Sequence, residues 1–120
     1  MTSRAQRKGD AAERDVADRL AALTGLPVRR KLGAGRADDT GDLDGIPRWV
    51  LQVRHYADPQ RAIRDGLAVL DTQQANARAQ FAALLVRRPG TVDGPRWIAV
   101  VDLDRLADLI LATTDLEVDP

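Results

Sequence analysis

The stretch that most limits how this chain can fold is residues 38–56, DDTGDLDGIPRWVLQVRHY. It opens with a Gly- and Asp-rich turn, where small residues and short side chains permit tight backbone geometry. It closes on WVLQVR, whose alternation reads as a strand with one face in the core. Successive side chains of a strand point to opposite faces. Trp49, Leu51 and Val53 therefore share one side, and Val50, Gln52 and Arg54 the other. If residues 43–46 and 49–54 form a hairpin around Gly45 and Pro47, Asp42 comes down beside Gln52. A carboxylate, an amide oxygen and a guanidinium then converge on one spot, which suits a metal-and-phosphate site.

The rest of the composition narrows the chemistry. A chain of 120 residues accommodates one domain with one core, and a hydrophobic content of 44% speaks against disorder. No apolar run approaches the roughly 20 residues of a spanning helix, no signal-peptide pattern opens the chain, and the cytoplasm is the expected location. There is no cysteine, and His55 is the single histidine, so cysteine-type and multi-histidine zinc sites are both excluded. Any metal must be held by oxygen, which points to magnesium or manganese.

The formal net charge is zero, but it is unevenly spread. Residues 1–57 carry 11 Lys and Arg against 8 Asp and Glu, a net +3, and residues 58–120 carry 7 against 10, a net −3. The positive half holds the stretch described above. Lys8 and Lys31 are the only lysines. Arginine suits bidentate phosphate contacts, although a GC-rich genome gives the same bias.

In chain order, residues 1–7 read as a flexible basic arm. From position 8 or 10 to about 23, Ala12, Val16, Leu20 and Leu23 recur with helical spacing. Gly25 and Pro27 end that helix. Asp10 and Glu13 have the spacing of a cap, which would leave Glu13 a capping or surface charge. Residues 28–32 read as a first strand, whose Arg29, Arg30 and Lys31, with Arg36 beyond the glycines, could follow a phosphate backbone or simply keep an edge soluble. The Gly-Ala-Gly of the next loop lacks the third glycine of a dinucleotide fingerprint. TGDLDG fails as a calcium hand, because Thr40 and Leu51 fall where carboxylates are required.

Pro59 opens a second helix to about 79, with Ile63, Leu67, Leu70, Gln74 and Ala77 on one stripe and Gly66 weakening its middle. Residues 81–86 form an apolar run typical of a strand buried on both faces. Another strand follows at 97–101, and Asp102 or Asp104 can cap a final helix to about 111 that carries Leu103, Leu106, Leu109 and Ile110. Residues 113–120 form an acidic tail, leaving 8–112 as the domain. The expected class is α/β, a central mixed β-sheet flanked by helices in the order αβββαββα. Trp49 and Trp97 are expected in the core rather than as base-stacking platforms.

These features together resemble the PD-(D/E)XK nuclease superfamily, particularly the small phage and bacterial Holliday junction resolvase-like and restriction-type endonucleases. The resemblance rests on KGDAAE at 8–13, GDLDG at 41–45 and WVLQVRHY at 49–56, and continues more loosely to the terminal helix. It implies a restriction-endonuclease-like fold and a role in DNA recombination or processing. By the same resemblance, Asp42 is the divalent-metal ligand and Glu13 the first-helix acid that completes the metal site or orients a water. Gln52 stands where the family usually has Asp or Glu and could still offer an amide oxygen to the metal. Arg54 stands where the family nearly always has Lys.

The catalytic set so implied is Glu13, Asp42, Gln52 and Arg54, with Mg2+ or Mn2+ at Asp42 and Gln52. DNA, branched in the resolvase-like case, would be contacted by Arg29, Arg30, Lys31, Arg36 and His55, and cutting two strands implies a homodimer. Arg54 can stabilise negative charge but cannot give up its proton as a base. The first expectation is therefore a metal-dependent DNA endonuclease. The second is a catalytically inactive nuclease-fold module for DNA binding or assembly, and the third a protein-interaction domain with no nucleic-acid role.

Overall fold

Ser3, not Asp10, starts the first helix: its hydroxyl accepts the Gln6 N–H at 3.1 Å, and α1 runs from Arg4–Thr24. In the computed structural model, which describes residues 3–31, 39–88 and 96–114, the expected basic arm is thus helical from Arg4 onward. The stop falls where glycine permits it. Gly25 adopts φ 74° and donates its N–H to the Ala21 carbonyl at 2.8 Å.

The remaining elements are β1 (Arg29–Arg30), β2 (Leu43–Asp44), β3 (Trp49–Arg54), α2 (Pro59–Ala77), β4 (Phe81–Arg87), β5 (Trp97–Val100) and α3 (Leu103–Thr114). This is a mixed α/β structure with three helices among the described residues. The single central sheet expected from the sequence is divided in two. Strand β3 pairs in parallel with β4, which pairs antiparallel with β5; β1 and β2 form a separate antiparallel ribbon in the register Arg29↔Asp44 and Arg30↔Leu43.

The expected 43–46/49–54 ladder is accordingly corrected: β2 pairs with β1, and residues flanking β2, not β2 itself, reach β3 by hydrogen bonds. The Asp42 N–H donates to the Leu51 carbonyl at 2.8 Å, and the Trp49 N–H to the Ile46 carbonyl at 3.4 Å. Gly45 explains the choice of partner. At φ 102° it presses so closely on the chain before β1 that a Cβ there would lie 2.1 Å from the Pro27 carbonyl oxygen. The turn therefore docks β2 onto β1. Gly41, at φ 94°, makes the second close approach, because a Cβ would meet Val50 Cγ1 at 2.9 Å.

Strand β3 is buried on both faces, not on the one expected, because a helix covers each side of it. Leu51 and Val53 join Ala12, Val16, Ala17, Val28, Leu43, Ala83 and Leu85 beneath α1. Val50 joins Ala62, Leu70, Ala82, Leu84 and Val86 beneath α2. Strand β4 is buried on both faces, as its continuous apolar run requires. Trp49 and Trp97 are half-buried against the α1 layer; Trp49 meets Phe81, and the Trp97 indole N–H donates to Asp15 Oδ2 at 2.8 Å.

Helix α2 begins as its first residues dictate, with Asp58 accepting the Gln60 N–H at 3.0 Å and Pro59 in the first turn. Its innermost residues are Ala62, Gly66, Leu70 and Gln73. Of the expected stripe Ile63, Leu67, Leu70, Gln74 and Ala77, Leu70 lies on this line and is fully buried, and Ile63, Leu67 and Ala77 pack half-buried against the same cluster. Small residues set the facing here, since a Cβ at Gly66 would fall 2.4 Å from Leu84 Cδ1. Asp102 caps α3 by accepting the Arg105 N–H at 2.9 Å. Leu103, Leu106, Ile110 and Leu111 on α3 are exposed. No helix among the described residues is long and apolar enough to cross a membrane.

Candidate functional site

The carboxyl end of β3 opens into a cleft of about 640 Å³ between the N-terminal half of α1 and the start of α2. Glu13 enters from α1, Asp42 from the turn before β2, Gln52 and Arg54 from β3, with His55 and Tyr56 following them, and Arg61 from α2. The four residues of the expected catalytic set thus line one hollow. Ligands of open α/β sheets commonly bind at this end of parallel strands.

Asp42 is positioned from both sides. Its backbone N–H is held by Leu51 and its carbonyl accepts the Lys31 N–H at 2.8 Å. Its Oδ2 accepts the Val53 N–H at 2.8 Å. Burial pushes its carboxyl up to about 6, with the Val53 hydrogen bond opposing, Glu13 and Asp39 adding repulsion, and Arg54 countering them. A carboxylate withdrawn from water beside two other acids favours a cation.

Gln52 is buried, and its Oε1 accepts from Nε2 of Gln73 on α2. The same nitrogen donates to Asp39 Oδ2 at 2.9 Å. Arg54 donates through Nη1 to the Tyr56 hydroxyl at 2.6 Å. The Tyr56 ring also carries two guanidinium groups, Arg54 at 5.7 Å and Arg61 at 5.6 Å from its centroid. Such cation–π contacts hold the arginines in place without consuming their charge.

The first-helix acids are engaged differently from the expected cap. Arg30 donates to Asp10 Oδ1 at 2.9 Å and to Glu13 Oε1 at 3.1 Å. Lys31 donates to the Thr40 carbonyl at 2.8 Å and hydroxyl at 2.7 Å, and lies 3.6 Å from Asp44. Arg30 and Lys31 therefore tie the β-ribbon to its surroundings instead of forming a row of outward cations. Arg29 is exposed, with Nη1 donating to the Pro27 carbonyl at 3.4 Å, and does not line the cleft. Arg36 lies outside the described residues. His55 lines the cleft with its ring edge-on to Trp97 at 6.3 Å. Burial holds its imidazole below the ordinary value, helped by Lys8 and Arg87 and opposed by Asp15.

Three cleft features were not anticipated from the sequence. Lys8 and Arg61 line the cavity, and Gln73 supports Gln52 from behind. The spacing of Arg61 from Asp58 places it in the first turn of α2, a signal that could have located it; nothing in the pattern marks Gln73. Among the described residues there is no group of three or more His, Cys, Asp or Glu side chains placed to hold a metal ion. No protein-family model, no curated protein and no solved structure matches the chain.

Proposed function

We propose that this chain is a divalent-metal-dependent DNA endonuclease of Holliday junction resolvase-like type, with a restriction-endonuclease-like arrangement around the cleft. The observation that carries the reading is the convergence of Glu13, Asp42, Gln52 and Arg54, from three separate parts of the chain, on one cavity. Their order matches the superfamily resemblance. Branched DNA and a homodimer belong to the same proposal.

The residues suit a hard cation at one point. Asp42 is a desolvated carboxylate repelled by Glu13 and Asp39, and a bound Mg2+ or Mn2+ would relieve that repulsion. Such an ion would supply Lewis-acid polarisation of the phosphoryl group and a more acidic attacking water. Asp42 would hold it, and Gln52 is the second candidate ligand through its oxygen. Arg54, braced by Tyr56, would stabilise charge on the phosphodiester oxygens as the bond breaks. Lys8 and Arg61 would hold the flanking backbone by charge.

The test is cleavage of linear and branched DNA with Mg2+ or Mn2+ against Asp42→Ala. Metal-dependent nicking that Asp42→Ala abolishes is expected; no nicking with protein in excess refutes the enzyme.

Two observations favour a second reading, a nuclease-fold module that binds DNA without cutting it. The Gln52 oxygen already accepts a hydrogen bond from Gln73, and Glu13 is paired with Arg30. On that reading, Gln52→Glu combined with Arg54→Lys confers cleavage on an inert parent. Binding to duplex DNA that weakens steeply with salt is common to both readings and separates them from a protein-interaction domain.

A further inference from the structure

Gln73 is the polar residue in an otherwise apolar line. It continues Ala62, Gly66 and Leu70 on the inner face of α2 and is only 1% exposed. Burying an amide there is unfavourable unless hydrogen bonds offset it, and its Oε1 has no partner. A leucine would fill the position without that cost. What the amide does provide is orientation.

Its Nε2 reaches two acceptors, Asp39 Oδ2 and Gln52 Oε1. An ionised carboxylate only accepts, so the end of Gln73 that meets Asp39 has to be the NH2 group. The same nitrogen faces Gln52, so Gln52 has to turn its oxygen toward α2. Asp39 is itself held from α2, because Asn76 Nδ2 donates to its carbonyl at 2.9 Å. The polarity of the row Asp39–Gln73–Gln52 is thereby determined at its charged end. Gln52 lines the cleft and Gln73 does not, so the end of the Gln52 amide left to the cleft is its donor.

We propose that Gln73 is a positioning residue that converts Gln52 from an oxygen ligand into a hydrogen-bond donor, so that Gln52 and Arg54 together receive a phosphate oxygen. This rests on the cleft being a phosphodiester site. It deepens that reading by replacing the metal-ligand role of Gln52 with a substrate contact and leaving the cation to Asp42. It also gives the Gln-for-acid departure a chemical purpose. A carboxylate at position 52 would repel a phosphate oxygen, whereas an NH2 beside a guanidinium makes a two-donor cradle.

The experiment follows the side-chain amide resonances of Gln52, identified by their loss in Gln52→Leu, in the full chain with chelator present. Inorganic phosphate and a short DNA duplex are titrated separately, then Mg2+ alone into a sample freed of chelator. The expected result is that phosphate or duplex shifts the Gln52 NH2 resonances while Mg2+ leaves its side-chain carbonyl unmoved. Movement with duplex but not free phosphate identifies the nucleic-acid backbone as the source of the anion. In Gln73→Leu the amide is free to turn over, and phosphate affinity falls about tenfold, the scale of one lost hydrogen bond to a charged group.

A Mg2+-induced shift of the Gln52 carbonyl, or NH2 resonances that neither anion moves, overturns the proposal. The wild-type titrations decide this even if Gln73→Leu fails to fold. Neither arm requires cleavage, so an inert protein can still satisfy the assignment and an active nuclease can still refute it.

Discussion

Asp42 and Val53 are joined side chain to backbone: the carboxylate Oδ2 accepts the Val53 N–H at 2.8 Å. This contact closes the loop between the Gly41 turn and β3. It also sets Asp42 in a place where its charge is costly.

The first prediction follows from that cost. Asp42 titrates at about 6 in the folded chain against an ordinary 3.8. The native state therefore retains a proton that the unfolded chain releases, and stability is lost as pH rises across that window. The penalty, on the order of 2–3 kcal/mol, is complete above the folded value. Asp42→Asn keeps an acceptor for Val53 and removes the charge. Urea denaturation should find the variant about as stable as the parent near pH 4 and more stable by that amount near pH 7.5. A difference independent of pH would show that burial does not govern this carboxylate.

Gly66→Ala tests the closeness of α2 to the sheet. Alanine favours a helix by about 1 kcal/mol over glycine, but the new methyl would collide with the fully buried Leu84. Overpacking of this kind costs about 1–3 kcal/mol, so a net loss in thermal stability is expected. Leu84→Val in the same chain should recover part of it. Stabilisation by the single change would contradict the packing.

Gly45→Ala should uncouple the β-ribbon from the rest. The φ of 102° and the approach to Pro27 both oppose a side chain there, and a loss of about 1–3 kcal/mol is expected. Hydrogen exchange is the decisive measurement. The amides of Lys31, Asp42 and Val53 should lose protection while those of β4 keep theirs, because β4 pairs only within the other sheet. Uniform acceleration would mean that the ribbon does not open separately.

Arg78→Gly should act in the opposite direction. Arg78 ends α2 at φ 51°, with its N–H donating to the Ala75 carbonyl at 3.2 Å. A left-handed conformation costs a non-glycine residue about 1–2 kcal/mol, partly offset by the entropy that glycine loses on folding. A net gain of about 0.5–1 kcal/mol in denaturant unfolding is expected.

Much of this arrangement was legible before any coordinates because local rules decide it. The period-two pattern of β3, the apolar run of β4, Pro59 after Asp58 and the stop at Gly25 are all backbone-level signals. The approach of Asp42 to β3 is expected from a hairpin of residues 43–46 and 49–54, but it is reached without that ladder, through the bonds of Asp42 itself to Leu51 and Val53. What escaped were decisions made by tertiary neighbours. The inner line of α2 runs through Ala62 and Gly66, which carry almost no hydrophobic signal, so the expected stripe meets that line at Leu70 and otherwise borders it. The partner of β2 was determined by a glycine pressed on Pro27, a contact invisible in a linear pattern. The sequence leaves Arg30 and Lys31 open between phosphate contacts and an edge kept soluble, and their acidic and hydroxyl partners, distant in sequence, are visible only in the fold.

The attachment of α3 has a consequence for how the molecule comes apart. Leu103, Leu106, Ile110 and Leu111 face outward, Leu109 alone of its leucines being half-buried, and a central bond to α2 is the Arg105 guanidinium, which donates to Asp71 at 2.6 Å and to Gln74 at 3.1 Å. Asp71 is 91% exposed, so this tether is an ionic contact at the solvent boundary that dissolved salt competes with. Raising ionic strength should let the last helix lift off before the sheet beneath it melts, making the C-terminal segment the earliest target of a protease.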